Sequence, residues 1–96
     1  MEIIKVGMAG TLESCDASVT VEPPGPSLAP GAPGLELAIE CPDKRFSGHV
    51  TKAVRAALAE AGVVAARVSV RDRSALDCTI RARVLAACQR ASGRAS

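Results

Sequence analysis

Some segments of this chain of 96 residues have the apolar spacing of strands and others have the apolar spacing of helices. The order of these segments limits the fold more than any other feature. Residues 3–13, 17–22, 35–41 and 64–71 alternate apolar and polar side chains, which predicts strands with one buried face. Residues from about 45 to 61 and 76 to 91 place apolar side chains three or four apart, as amphipathic helices do. The order β-β-β-α-β-α predicts an α+β fold: a two-layer sandwich in which two helices cover one face of a roughly four-stranded sheet.

The first two strands are predicted to form a hairpin. Ile4, Val6, Met8 and Leu12 share one parity of the first segment and so would share one face. Gly7 and Gly10 interrupt that segment and indicate a bulge or a close approach by another backbone. Residues 14–16 lie at the hairpin tip in this prediction, although they match no common two-residue turn.

Glycines and polar residues mark the predicted ends of the helices. Gly62 is expected to cap the first helix at its carboxyl end, and Gly93 to end the second, with a frayed tail at 93–96. Residues 74–77 have the spacing of a capping box, with Asp77 in place of the usual Glu. Residues 23–34 contain five of the six prolines and are predicted to be a connecting loop within one domain, 1–96.

Composition narrows the class of protein further. Phe46 is the only aromatic residue, so the core is expected to be aliphatic. We find no apolar run of membrane-spanning length and no signal-peptide pattern at the start, and we therefore expect a cytoplasmic protein. The spacing of the four cysteines and of His49 does not fit a metal site. A disulfide framework is not expected either, because the patterned core does not need one. Cys78 and Cys88 are expected to be small core or boundary residues.

Charge is distributed unevenly along the chain. Residues 1–43 contain one basic residue and seven acidic ones, whereas residues 44–96 contain eleven basic and three acidic. This split predicts a basic helical layer and raises nucleic-acid binding as one possible function. The acidic first half and the single aromatic side chain oppose that function, because phosphate would be repelled and bases would lack stacking partners.

No catalytic constellation is visible in the sequence. His49 is expected at the surface, without a nucleophile close to it in sequence. Glu13 and Asp16 flank Ser14, but paired carboxylates do acid–base chemistry in a cleft that separates their pKa values, and a hairpin tip offers none. A small domain of this kind acts by binding or by carrying something. An exposed Ser14 would suit the attachment of a group, but most serines in such turns are only turn formers, and the residues alone favour that interpretation.

Two segments resemble one family. Residues 10–16, G-T-L-E-S-C-D, resemble the G-T-L-E-S-x-D segment of citrate lyase acyl carrier (gamma) subunits, and residues 75–83, A-L-D-C-T-I-R-A-R, resemble their A-L-D-C-x-x-R-A-R segment. Residues 90–93 also fit, and the spacing extends the resemblance over nearly the whole chain. It implies that Ser14 carries a phosphoribosyl-dephospho-CoA group through a phosphodiester bond, and that the thiol of this group holds the acyl group.

The resemblance also implies partners for a carrier that is not itself catalytic. They are the alpha (acyl transferase) and beta (lyase) subunits of citrate lyase, a cofactor-transferring enzyme and an acetylating ligase, with no nucleic acid and no membrane. Glu13, Asp16, Arg81 and Arg83 are candidate contacts to the cofactor or to a partner, and a solvated helix face is the alternative for the two arginines. The carrier subunit of malonate decarboxylase and a structural adaptor are the rival functions.

Overall fold

The computed structural model describes residues 1–24 and 34–93. Its strands are β1 (Gly7–Ala9), β2 (Asp16–Glu22), β3 (Gly34–Glu40) and β4 (Ala65–Arg73), and its helices are α1 (Ser47–Ala61) and α2 (Asp77–Ala91). A 3₁₀ turn, Lys44–Phe46, precedes α1. This order of elements confirms the predicted β-β-β-α-β-α fold. Most of the proline-rich connector and the last residues of the predicted frayed tail lie outside the described residues.

The four strands form one mixed sheet in the order β1-β2-β4-β3. β2 runs antiparallel to both β1 and β4, whereas β3 runs parallel to β4. As a result, one end of the sheet contains the last residues of β1, β3 and β4 and the first residue of β2. We call it the Ser14 end. Because α1 follows β3 and α2 follows β4, both helices also begin there. β2 ends and β3 begins at the opposite end.

The core lies between the sheet and the two helices, as predicted. α2 packs over β1 and β2, α1 packs against α2 and lies close to β3, and the aliphatic side chains of the two layers meet. The largest fully buried side chains are Leu58, Ile80, Val19, Val21, Val54, Val68, Val70, Val84 and Cys88. Burial raises the pKa of the Cys88 thiol to about 11, so this cysteine is an inert core residue.

The first strand was predicted too long and with the wrong face inward. β1 covers only three residues, and Ile4, Val6, Met8 and Leu12 are all exposed. The reason is the close approach of α2: a Cβ at Gly7 would lie 2.3 Å from the carbonyl oxygen of Ala87. Only the smallest residues fit under the helix there, so the larger apolar side chains face outward.

The start of α2 also differs from the prediction. Gly62 does end α1 in the left-handed region, with φ 73°. The capping box, however, is absent, because α2 begins after Leu76 without a side-chain cap and Ser74 has φ 64°. The side chain that bonds the backbone here belongs to Asp72, whose Oδ1 accepts the N–H of Ala75 at 3.0 Å. Cys78, expected at the core or its boundary, is exposed.

Part of the uneven charge forms ion pairs across the sheet, and α1 and α2 together contain five lysine or arginine side chains and two acidic ones. On the face away from the helices, Arg67 of β4 lies between Glu22 of β2 and Glu36 of β3. Arg71 and Arg73 of β4 both pair with Glu40 of β3. Acidic residues of the first half of the chain thus flank basic residues of the second half, and this face is not a continuous positive surface.

Candidate functional site

Ser14 lies in the loop of residues 10–15 that joins β1 to β2, which we call the Ser14 loop. β1 and β2 pair as a hairpin, which confirms that part of the prediction, although Asp16 is the first residue of β2 and not part of the tip. Ser14 is exposed. Across residues 1–24 and 34–93 its hydroxyl has no hydrogen-bond partner, so a reagent can reach it without breaking a contact.

The carboxylate of Asp16 holds the Ser14 loop in place. Arg83 of α2 donates to it through two nitrogens, Nε to Oδ1 at 2.9 Å and Nη2 to Oδ2 at 3.1 Å. The hydroxyl of Thr11 donates to Oδ2 at 2.7 Å and accepts the N–H of Glu13 at 3.2 Å. A planar guanidinium that matches both carboxylate oxygens fixes position as well as distance. The loop is therefore tied to α2 on one side and bonded to itself on the other.

Two residues with positive φ give the Ser14 loop its path. Gly10 has φ 92° and Cys15 has φ 64°. A Cβ at Gly10 would lie 1.8 Å from the carbonyl oxygen of Ala17, so no side chain fits there. The N–H of Cys15 donates to the carbonyl oxygen of Arg73 at 2.7 Å, which anchors the end of the loop to β4. Ser14 is thus displayed on a short loop that is fixed at both ends.

The pKa of Asp16 is well below its usual range, so the stability that its hydrogen bonds contribute depends on pH. The hydrogen bonds from Arg83 are the main cause, followed by those from Thr11 and from the N–H of Ala17. A depressed pKa means that the folded state binds the proton more weakly than the unfolded state does. The stabilisation is therefore complete above the ordinary value of 3.8 and is lost as pH falls through the folded value.

We expect Asp16→Asn to be less stable than the parent at pH 7 and to approach it as the pH falls from about 4 to 2. The neutral amide cannot accept from both guanidinium nitrogens. Below pH 4 the unfolded parent binds a proton at Asp16 that the folded parent does not, so the advantage of the parent shrinks progressively. Urea unfolding of both chains at each pH measures the difference. Glu40→Gln is the control, because Glu40 is 61% exposed and its ion pairs contribute little at any pH. A difference between Asp16→Asn and the parent that does not vary with pH would contradict the interpretation.

The other candidate contacts are dispersed. Arg83 is half-buried under the Ser14 loop, with its guanidinium already held by Asp16. Arg81 is exposed as predicted, and its Nε donates to Oε2 of Glu60 on α1 at 2.7 Å. Glu13 is exposed beside Ser14. The structure thus brings Glu13, Asp16 and Arg83 together around Ser14 and places Arg81 in a helix–helix ion pair, so contact of any of them with a cofactor stays a prediction.

Sequence reasoning missed a groove at the Ser14 end. It has a volume of about 340 Å³ and is lined by residues of segment 41–50 and of the end of β4 and the turn after it, among them Asp72 and Ala75. His49, expected to be a surface residue, lies on this groove with Nε2 2.6 Å from Oδ1 of Asp77. The burial of Asp72 could have been predicted from the sequence, because Asp72 lies on the same face of β4 as the buried Ala66, Val68 and Val70.

Of the helices in the described residues, none combines the length and the apolar composition that a membrane span requires. The comparisons with known proteins cover almost the whole chain. A family model described as "Malonate decarboxylase delta subunit (MdcD)" matches residues 4–91. The citrate lyase acyl carrier protein of Haemophilus influenzae (strain ATCC 51907) is 42% identical over 99% of this chain and 93% of its own length.

Two further relatives lead to the same family. Citrate lyase acyl carrier protein 2 of Salmonella typhimurium is 45% identical over 96% of this chain and 90% of its own length. The citrate lyase acyl carrier protein of Streptococcus equi subsp. equi is 37% identical over 97% of this chain and 86% of its own length. Similarity of this extent and identity shows common membership, and the chain belongs to the family of the citrate lyase acyl carrier proteins.

Proposed function

We propose that this chain is the acyl carrier subunit of a citrate lyase and that Ser14 is the residue to which its prosthetic group is attached. The observation that carries the proposal is the hydroxyl of Ser14, which is exposed, has no hydrogen-bond partner among the described residues, and lies on a loop fixed at both ends. The relatives named above are citrate lyase acyl carrier proteins, which supports the same function.

The surroundings of Ser14 fit a phosphodiester-linked group. The hydroxyl is accessible for esterification, and the carboxylate two residues further along the chain, Asp16, is neutralised by Arg83. The group expected is phosphoribosyl-dephospho-CoA, whose terminal thiol would hold the acyl group as a thioester. This chain would contribute position only: the Ser14 loop holds the attachment point at one end of a compact domain, so the attached group extends away from the sheet.

Tethering explains why a carrier without catalytic residues is useful. A group attached to one chain moves between two active sites at an effective concentration that is set by the length of the tether and not by diffusion. We propose that the alpha and beta subunits of citrate lyase supply those active sites for acyl exchange and for cleavage of citrate to acetate and oxaloacetate. The cofactor-transferring enzyme and the acetylating ligase would load the chain.

A carrier role in malonate decarboxylase is the second candidate, because the matching family model carries that description. The two roles share the attachment site and differ in the partner subunits and the acyl group. The segment at residues 75–83 favours citrate lyase, since its A-L-D-C-x-x-R-A-R pattern resembles the carriers of that enzyme.

Reconstitution separates the two roles. We expect the loaded chain, mixed with the citrate lyase alpha and beta subunits of the same organism, to restore the formation of oxaloacetate from citrate. The loaded chain is expected to leave malonate decarboxylase subunits inactive on malonate. Ser14→Ala should give no activity above background, whereas the neighbouring Cys15→Ala should retain most of it, because Cys15 plays no part in the attachment. Activity on malonate alone would assign the chain to the second role, and activity with Ser14→Ala would contradict both.

A further inference from the structure

The groove at the Ser14 end contains a polar group that the fold leaves partly unused. Asp72 lines the groove and is only 4% exposed. Its Oδ1 accepts the N–H of Ala75 at 3.0 Å. Within the part of the chain that is described, its Oδ2 accepts no hydrogen bond, and Asp72 forms no ion pair. Among the described residues no side-chain oxygen is both fully buried and without a partner, so Oδ2 is in contact with solvent. A ligand in the groove that donates an N–H to Oδ2 can take the place of that water.

The acidic side chains near Asp72 are already paired. Asp43, also on the groove, binds Arg45 through both carboxylate oxygens, and this ion pair lowers the pKa of Asp43. Asp77 binds His49 at the rim. Asp72 differs from both in being buried, and it forms no ion pair within the described residues.

The groove lies close to Ser14. Cys15, the residue after Ser14, donates its N–H to the carbonyl oxygen of Arg73, and Arg73 lies between Asp72 and Ser74, which both line the groove. The path from Ser14 to Cys15, across the hydrogen bond to Arg73 and on to the next residue is no more than about 13 Å long. The backbone of Ser14 is therefore within that distance of the groove wall. A nucleotide and a pantetheine in series span such a distance.

Charge determines which part of the attached group fits. Asp72, which has no ion pair within the described residues, would repel phosphates, so the nucleotide end would stay outside the groove. The uncharged amide-bearing part offers N–H donors, which match Oδ2 of Asp72, and an aliphatic stretch, which matches the Pro42, Val50 and Ala75 part of the lining. We propose that the groove binds the amide-bearing arm of the group on Ser14, with Oδ2 of Asp72 accepting an N–H from that arm. This proposal rests on the attachment to Ser14 proposed above.

Comparison of the NMR spectra of the loaded and unloaded chains tests this proposal without any partner subunit. We expect loading to shift the backbone amide of Ala75 and the imidazole of His49 several times more than the amides of the outer sheet face, such as that of Ser69. In Asp72→Asn, the remaining oxygen can still accept the N–H of Ala75, but the new amide nitrogen cannot accept a donor. The shifts at Ala75 and His49 on loading should fall at least threefold in this variant. Glu40→Gln is the matched control and should leave them unchanged.

The failures are distinguishable. Shifts confined to residues 10–16 in the loaded parent chain would overturn the groove proposal, as would shifts at Ala75 and His49 that persist at full size in Asp72→Asn. The spectrum of unloaded Asp72→Asn shows whether the variant keeps the fold, and if it does not, the loaded parent chain alone decides. If mass spectrometry finds no group on Ser14, the attachment itself is refuted and the groove proposal falls with it.

Discussion

Replacing Gly10 with alanine is expected to lower the free energy of unfolding by about 2–4 kcal/mol. Two causes act together. A Cβ at this position would lie 1.8 Å from the carbonyl oxygen of Ala17, so β2 or the Ser14 loop has to shift. The backbone of Gly10 also has φ 92°, a conformation that alanine adopts only at a cost. For a domain of this size, such a loss corresponds to a fall in Tm on the order of 10–20 °C.

Gly48→Ala is the matched control for this prediction. It is the same substitution, but nothing lies within 4 Å of a Cβ at Gly48, which lies in the first turn of α1. Alanine there is expected to leave stability unchanged or to raise it by up to about 1 kcal/mol. Urea unfolding of the parent chain and both variants gives the comparison. A Gly10→Ala variant within about 0.5 kcal/mol of the parent would contradict the packing described for the loop.

The effect of Gly10→Ala should also extend to loading. The Ser14 loop is short, and Gly10 and Cys15 with positive φ lie at its two ends. A shift at Gly10 therefore moves Ser14 relative to its anchors, Asp16 and the carbonyl of Arg73. We expect the transferring enzyme to load Gly10→Ala more slowly than the parent even at temperatures where both are folded.

Periodicity was sufficient to predict the element order, because strands and helices bury their faces at different spacings. It failed at β1, where the inward residues are the small Gly7 and Ala9 and the outward ones are large. A pattern based on hydrophobicity assigns the large residues to the core. Only the close approach of α2 to the Gly7 backbone, a tertiary contact, reverses that assignment.

The candidate site was predicted in part. Ser14 and Asp16 were found through a short segment, and the exposure of Ser14 agrees with its place between two strands. Arg83 was predicted to lie at the surface. The spacing of apolar residues in a helix does not show that a guanidinium reaches a carboxylate 67 positions earlier in the chain. Asp72 was overlooked although its parity in β4 indicated burial, since a carboxylate at the end of a strand is usually solvated.

The intact mass of the chain after co-expression with the cofactor-transferring enzyme tests the central claim most directly. Ser14 is exposed and its hydroxyl forms no hydrogen bond with the described residues, so Ser14→Ala should change stability by less than about 0.5 kcal/mol, and a lost adduct cannot then be ascribed to unfolding. We predict one adduct of the prosthetic-group mass on the parent chain, located on the peptide that contains Ser14. The adduct should be absent from Ser14→Ala and present on Cys15→Ala. An adduct that survives in Ser14→Ala, or an unmodified parent chain under conditions in which the Haemophilus influenzae carrier is loaded, would contradict the account.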